Sequence, residues 1–257
     1  MQASFADLAG RVVLVTGAST GIGAAVARGF GGVGAQVAVH YNNSPADAER
    51  VAGDITDAGG TAWTEHADLA RPGAAAALID RVVGHAGRLD VLVNNAGHLI
   101  RRVRFAEADM ALFRDLVDLN LHSLAEACMA VLPHFRAAGR GCIINTSSVA
   151  ARNGGSPGTA MYAAAKGGVS TLTRGLAKEV ARDNIRVNAV APGVILTPLH
   201  ATLTGADTMA AMIGTIPMGR AGTAEECVGA YLFLASESLS GYITGQVIEV
   251  NGGQLMP

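Results

Sequence analysis

The sequence predicts a single-domain α/β protein: a doubly wound parallel sheet of seven strands with helices on both faces. Three observations predict it. Short β-branched segments alternate with longer stretches of helical period along the chain. Strand segments such as VVLV and DVLV are apolar at consecutive positions, the pattern of strands buried on both faces. No linker, low-complexity tract, charge block or internal repeat divides the 257 residues, so 1–257 reads as one domain.

The first strand is expected over Arg11–Thr16 and the helix after it over Gly21–Val33. Strand Gln36–Tyr41 leads to helix Pro45–Ala58, and strand Thr61–Ala67 to helix Pro72–Ala86. Strand Asp90–Asn94 precedes one long helical stretch, Ala106–Ala138. Strand Gly141–Ser147, helix Ala160–Ala181, strand Ile185–Ala191, a helix at Ala224–Ala235 and strand Gln246–Val250 complete the series. Right-handed crossovers between such strands give the doubly wound sheet. One segment breaks the rhythm. Residues 192–217 are longer than an ordinary strand-to-helix connection and read as a substrate-binding loop or lid, with a small surface helix as the alternative.

Composition excludes several classes. Hydrophobic residues are 50% and charged residues 16%, which excludes disorder. The 33 glycines are not periodic, so they mark tight turns and close backbone approaches rather than collagen. Aromatics are only 4%, leaving Ala, Val, Leu and Ile to build the core. A net charge of −2 offers no basic excess for a nucleic-acid partner. Mean hydropathy is +0.32, yet no uninterrupted apolar run is long enough to span a membrane. The surplus is assigned to buried strands and subunit interfaces. The N-terminal MQASFADLAGRVVLVTG lacks the pattern of a secretory leader, and Cys128, Cys142 and Cys227 have no metal or disulfide spacing. Three reduced thiols, a cytoplasmic location and no metal are expected.

Between the first strand and first helix lies Thr16-Gly17-Ala18-Ser19-Thr20-Gly21-Ile22-Gly23. Glycines placed there let backbone approach a pyrophosphate, and the helix N-terminus offers unpaired N–H groups with partial positive charge. The turn is therefore a candidate dinucleotide site. An acid ending the second strand would select NAD through the ribose 2′-hydroxyl. Here that strand ends His40-Tyr41-Asn42-Asn43-Ser44, with neutral donors and no carboxylate until Asp47. NADP(H) is favoured, with NAD(H) as the alternative, since no Arg or Lys clamp is visible either. Asp68, at the end of the third strand, reads as an acceptor for the adenine amino group or as a helix N-cap.

Tyr162-Ala-Ala-Ala-Lys166 places a phenol and an ammonium on one helix face, one turn apart. A nearby ammonium favours the phenolate and is expected to lower the phenol pKa from near 10, toward a value suited to proton exchange with an alcohol or carbonyl oxygen.

TGASTGIG at 16–23, Asp68, NNAG at 94–97, Asn120, Ser148, YAAAK at 162–166 and PG at 192–193 stand in one order along the chain. In these elements the sequence resembles the short-chain dehydrogenase/reductases over essentially its whole length. The resemblance implies a Rossmann fold and an NAD(P)(H)-dependent oxidoreductase interconverting a secondary alcohol and a ketone or aldehyde. It implies a catalytic tetrad of Asn120, Ser148, Tyr162 and Lys166. Tyr162 would be the general acid or base, and Ser148 would hold the substrate oxygen beside it. Lys166 would depress the phenol pKa and bond the nicotinamide ribose. Asn120 would sit at a helix irregularity and hold a relay water. Ser147 rivals Ser148, because the family serine usually stands about 13 residues before the tyrosine and Ser148 stands 14 before it.

The implied cofactor shell follows. Ser19, Thr20, Gly21 and Ile22 would line the pyrophosphate, and Asp68 and Leu69 would face adenine. Asn95, Ala96 and Gly97 would back the adenosine ribose. Pro192, Gly193, Ile195 and Thr197 would position the nicotinamide. Two departures are noted: Thr20 stands where many NADP-type relatives carry Arg, and Asn251 where relatives often carry Asp. A small carbonyl or alcohol substrate and a homotetramer built through helices 106–138 and 160–181 are also implied. The competing classes are a non-catalytic dinucleotide-binding sensor or scaffold, and a lyase or epimerase that recycles its cofactor internally.

Three features stand outside the resemblance. Arg101-Arg102-Val103-Arg104 reads as an attractor of an acidic substrate or carrier-protein phosphate, or as a solvated ion-pairing loop. His98 reads as a substrate contact or a structural histidine. Met209, Met212 and Met218 read as an adaptable apolar pocket wall or as plain packing.

Overall fold

The computed structural model describes residues 5–198 and 203–256. Strands β1 (Val12–Val15), β2 (Gln36–Tyr41), β3 (Thr61–His66), β4 (Val91–Asn94), β5 (Gly141–Thr146) and β6 (Ile185–Pro192) form one parallel sheet. Two short strands, β7 (Ile195–Leu196) and β8 (Gly222–Thr223), pair with each other outside it. The last strand, β9 (Val247–Val250), completes the sheet, whose order is β3-β2-β1-β4-β5-β6-β9. The chain begins at mid-sheet, walks to one edge, then crosses back over β1 and walks to the other. Beyond the carboxyl ends of β1 and β4, where the direction reverses, such a sheet leaves a crevice.

The consecutive apolar positions of the strands are explained by the two faces. Val13, Val15, Val37 and Val39 meet α1 (Gly21–Gly32) and α2 (Pro45–Asp57) on one face. Val12, Leu14, Leu92 and Ile143 meet α3 (Ala74–Ala86) and helices of the other face. Alternate residues of a strand point to opposite sides, so a strand with helices on both must be apolar throughout.

The long helical stretch 106–138 is four elements, the first a 3₁₀ turn at Phe105–Glu107. Asp109 caps α4 (Met110–Val117) by accepting from Leu112 N at 2.7 Å, which starts the helix later than periodicity suggests. A π-helical turn, Asp118–His122, follows and passes directly into α5 (Ser123–Ala138). After β5 come the short α6 (Ala150–Asn153) and the 21-residue α7 (Ala160–Val180).

Residues 192–217 contain a small helix. Within them α8 (Ala206–Ile213) packs Met209, Met212 and Ile213 against Val194, Ile216 and Ala221. Residues 199–202 of this segment lie outside the described residues. The chain then forms α9 (Glu225–Ala235) and α10 (Glu237–Ser240) before β9. Among the described residues no helix is long and apolar enough to cross a membrane, and no cluster of metal-ligating side chains occurs. All three cysteines are free and buried.

Candidate active site

A cleft of about 1120 Å³ opens beside the glycine-rich turn and runs to the Tyr-Lys pair of α7. The turn forms its floor. Gly17 adopts a φ of +62°, and a Cβ there would lie 2.9 Å from the Cα of Ala96, while a Cβ on Gly23 would strike the Gly17 carbonyl. Only glycine fits either place. Helix α1 starts at Gly21 with no side-chain cap and no acidic residue in its first turn, so its leading N–H groups are not claimed from within. Ser19, Thr20, Gly21, Ile22 and Gly23 all line the cleft.

The turn is held from behind. Asn95 Nδ2 donates to the carbonyls of Thr16 (2.9 Å) and Gly17 (3.0 Å), and the Thr16 hydroxyl accepts from Asn95 N and Ala96 N. Asn95 thus acts first as a clamp between β1 and β4. His40 is a participant that sequence reading missed. Its Nδ1 accepts from Gly17 N at 2.9 Å and its Nε2 lies 3.1 Å from the Ala67 carbonyl. That pairing requires the proton on Nε2. Burial pulls the imidazole down to about 4, so it is neutral at physiological pH and locked in one tautomer. The available signal was a titratable side chain directly after the apolar run Val37-Ala38-Val39 of a buried strand.

At the far end of the cleft, Asn42, Asn43 and Leu69 line the wall, whereas Ser44 and Asp68 do not. Asp68 accepts from Ala70 N at 3.2 Å, Arg71 Nε at 3.0 Å and Asn42 Nδ2 at 3.4 Å. Its carboxylate stabilises its own turn and steadies Asn42. It does not cap α3, whose N-cap is Gly73.

Asn120, Ser148, Tyr162 and Lys166, expected from the resemblance, lie at one end of the cleft. Asn120 is fully buried in the π-helical turn, where the 3.6-residue repeat is interrupted. Both amide hydrogens are used, on Leu116 O and His98 O, and Oδ1 accepts from His98 N at 3.1 Å. The side chain therefore ties the π turn to the loop after β4 rather than presenting a free donor to a water. Lys166 is 3% exposed, donates to Thr146 O at 2.8 Å, and holds Nζ 5.8 Å from the Tyr162 ring centre. Gly97 makes this closeness attainable: a Cβ there would lie 2.6 Å from Asn120 Oδ1 and 3.0 Å from Lys166 Nζ.

Both serines line the cleft, but their hydroxyls have different partners. Ser147 Oγ faces α7, bonding Lys166 O at 3.1 Å and Ser170 Oγ at 2.7 Å. Ser148 Oγ accepts from Ala150 N at 3.1 Å and lines the cleft with Tyr162, near enough to favour the phenolate.

The expected fall in the Tyr162 pKa is not what this geometry gives. Desolvation pushes the phenol up to about 12, against the hydrogen bond from Ser148. Desolvation also pulls the Lys166 ammonium down to about 8. Burial acts on both groups in the direction of their neutral forms. The ammonium is anchored on Thr146 O instead of on the phenol oxygen, so its attraction does not outweigh burial.

Pro192, Gly193, Ile195 and Thr197 line the cleft opposite the glycine-rich turn. Gly193 packs so tightly that a Cβ would lie 2.7 Å from that of Asn251, whose side chain braces the last turn through Leu255 O and Gly253 N. Met212 lines the cleft beside Thr208, Ala211 and Thr215, whereas Met209 packs beneath α8 and Met218 is 63% exposed. His98 also lines it, with Nδ1 accepting from Ile100 N at 2.8 Å. That bond supports Ile100 at a φ of +63°, a left-handed conformation unusual for a β-branched residue.

Among the described residues no Asp or Glu lines the cleft, while Lys166 and Arg102 do. An uncapped helix N-terminus, a glycine cradle and this sign of charge fit an anionic dinucleotide.

Residues 17–254 match a family model described as enoyl-(acyl carrier protein) reductase. The chain is 41% identical over 253 residues to a cis-4-hydroxycyclohexanecarboxylate dehydrogenase of Sinomonas cyclohexanicum, covering 98% of each. The chain belongs to the short-chain dehydrogenase/reductase family. This short-chain dehydrogenase/reductase is also 38% identical to the 3-oxoacyl-[acyl-carrier-protein] reductase of Synechocystis, covering 97% of this chain and 98% of the relative. Among solved structures it resembles an NADH-dependent reductase complexed with NAD (TM-score 0.88, 37% identity, 99% and 100% coverage). It equally resembles a 3-oxoacyl (acyl-carrier-protein) reductase of Agrobacterium tumefaciens with NADP bound (TM-score 0.88, 33% identity, 95% and 94% coverage). It is accordingly an NAD(P)-dependent oxidoreductase.

Replacing Gly97 with Ala forces Asn120 and Lys166 apart. The expected outcome is a loss of about 100-fold in kcat from a displacement of roughly 1 Å, read in steady-state assays, with a thermal midpoint within a few degrees of wild type.

Proposed function

We propose that the enzyme interconverts a secondary alcohol and a ketone or aldehyde on small molecules, with Asn120, Ser148, Tyr162 and Lys166 as its working groups. The observation that carries this reading is the Ser148–Tyr162 hydroxyl pair in the cleft with the buried Lys166 one turn away on α7. A bound nicotinamide would supply or accept the hydride. Ser148 holds the substrate oxygen beside the phenol. Tyr162 is fully protonated at neutral pH, which is the acid form that reduction needs, and it gives its proton to that oxygen. In oxidation the phenolate must form first, and the Lys166 ammonium favours it. Lys166 would also bond the nicotinamide ribose, and Asn120 positions the loop that carries Gly97. No observation favours a pure dinucleotide sensor, since such a protein has no use for the hydroxyl pair.

Replacing Tyr162 with Phe is expected to lower kcat at least about 100-fold while leaving dinucleotide affinity, measured by fluorescence titration, within a few fold. Retained turnover would refute the role. The pH profile follows from the two pKa values. Reduction requires neutral Tyr162 and charged Lys166; it is level from pH 6 and falls above about 8. Oxidation rises about tenfold per pH unit while the phenolate population grows, and flattens above about 8 as the ammonium is lost. A reduction rate that climbs above pH 9 would contradict this assignment.

NADP(H) is the proposed cofactor, supported by Asn42 and Asn43 lining a wall that carries no carboxylate. Parallel assays with NADH and NADPH over a carbonyl and alcohol panel test it. Asn42→Asp or Asn43→Asp is expected to shift the NADPH/NADH ratio of kcat/KM at least about tenfold toward NADH, because a carboxylate repels the 2′-phosphate. An unchanged ratio places selectivity elsewhere.

A homotetramer is proposed as well. Met110 on α4 and Met129 on α5 are 60% and 66% exposed, which supports burial of those helices against another copy. Light scattering should return about four times the 26.0 kDa chain mass; a monomer would exclude it.

A further inference from the structure

The arginine cluster of the loop after β4 divides in an informative way. Arg101 pairs with Asp109 at 3.1 Å on the surface, as a solvated ion pair would. Arg102 is half-buried, lines the cleft, and pairs with no carboxylate among the described residues. Its Nε and both terminal nitrogens donate to neutral oxygens: Leu203 O at 2.9 Å, Ser156 Oγ at 2.7 Å and Thr204 Oγ1 at 3.2 Å. Desolvation lowers its pKa, and no neighbouring negative charge opposes that fall. A guanidinium carries five N–H donors in a rigid fork, so three neutral bonds leave capacity for a planar anion. The three bonds fix the fork where the β4 loop, the α6–α7 turn and the segment before α8 meet. A cation desolvated in this way is costly unless an anion completes it.

We infer that Arg102 is the specificity-determining residue of the cleft and binds the carboxylate of an oxo- or hydroxy-acid substrate. The inference rests on the proposed alcohol–ketone chemistry and adds the substrate's charge class to it. Substrate enters as the anion, the fork takes the carboxylate, and the Ser148–Tyr162 pair takes the reacting oxygen. The same fork also holds Leu203 and Thr204, so the anion site borders the segment before α8. A residue that served only as a latch between loops would affect charged and neutral substrates alike.

Two readouts separate these roles. The first is binding of unreactive cyclohexanecarboxylate and of its neutral carboxamide to the NADP⁺-loaded enzyme, by isothermal titration calorimetry. Wild type should bind the carboxylate more tightly than the amide. Arg102→Met should weaken the carboxylate about 100-fold and the amide far less, while Arg102→Lys should recover part of the loss. The second is the ratio of kcat/KM for 4-oxocyclohexanecarboxylate and 4-oxopentanoate to that for their methyl esters, which should fall about 100-fold in Arg102→Met. A wild type that shows no preference for the carboxylates, or a variant that loses charged and neutral ligands equally, overturns the inference. So does a wild type that turns over a neutral 3-oxoacyl thioester better than either acid. Absence of turnover for every ketone, with Arg102-dependent carboxylate binding intact, would instead refute the proposed chemistry and leave the anion site standing.

Discussion

The site depends on one buried charge. Lys166 lies within the protein with 3% of its surface exposed, and its ammonium is fixed on the carbonyl of Thr146, the last residue of β5. An ammonium without partners would not be tolerated there. The carbonyl bond holds the group in place, and burial keeps it near the edge of its charged range. Everything around it is arranged to permit that position. Gly97 has no side chain where one would collide with Nζ, and Asn120 fixes the loop that carries Gly97. Ser147 and Ser170 interact with the Lys166 carbonyl, steadying the turn of α7 that carries the lysine.

The sheet makes this possible by bringing strand ends to one rim. β1 supplies the glycine-rich turn, β4 the Asn95–Gly97 loop, β5 Thr146 and the following serines, and β6 the Pro192–Gly193 corner. Parallel strands with helical crossovers must leave their carboxyl ends on the same side, so segments far apart in sequence converge without any long-range motif. Bonds between those ends then fix their spacing. Asn95 spans β1 and β4, His40 spans β2 and the glycine-rich turn, and Asn94 donates to Asn145 between β4 and β5 at 3.0 Å. Each is a polar side chain, buried or partly so, in an otherwise apolar setting, where a satisfied hydrogen bond specifies one arrangement over near alternatives.

The electrostatics of the cleft have a single sign. Negative side chains are kept to the outside: Asp68 is engaged by Arg71, and Asp109 by Arg101. The inner wall carries Lys166, Arg102 and an uncapped helix start, with His40 and His98 pushed toward neutrality by burial. Among the described residues, a dinucleotide would meet no opposing carboxylate on that wall.

The strand–helix alternation, the two-faced core and the Tyr162–Lys166 spacing were legible in the chain because they follow from periodicity: alternate residues of a strand, or residues four apart in a helix, have fixed relative directions whatever the rest does. The glycine positions were legible for a similar reason, since few other residues survive where backbone must touch backbone. What the sequence could not fix was decided by contacts between distant segments. Which of Ser147 and Ser148 has its hydroxyl taken up by α7 depends on how β5 and α7 pack. The phenol rises rather than falls because desolvation is a property of the whole enclosure, not of a neighbour four residues away. Asp68 turned to its own loop, His40 became the brace of the glycine-rich turn, and Arg102 was left in the cleft with no counter-charge among the described residues. Burial and hydrogen-bond partnership are set by residues tens of positions apart, and only the folded chain brings them within reach.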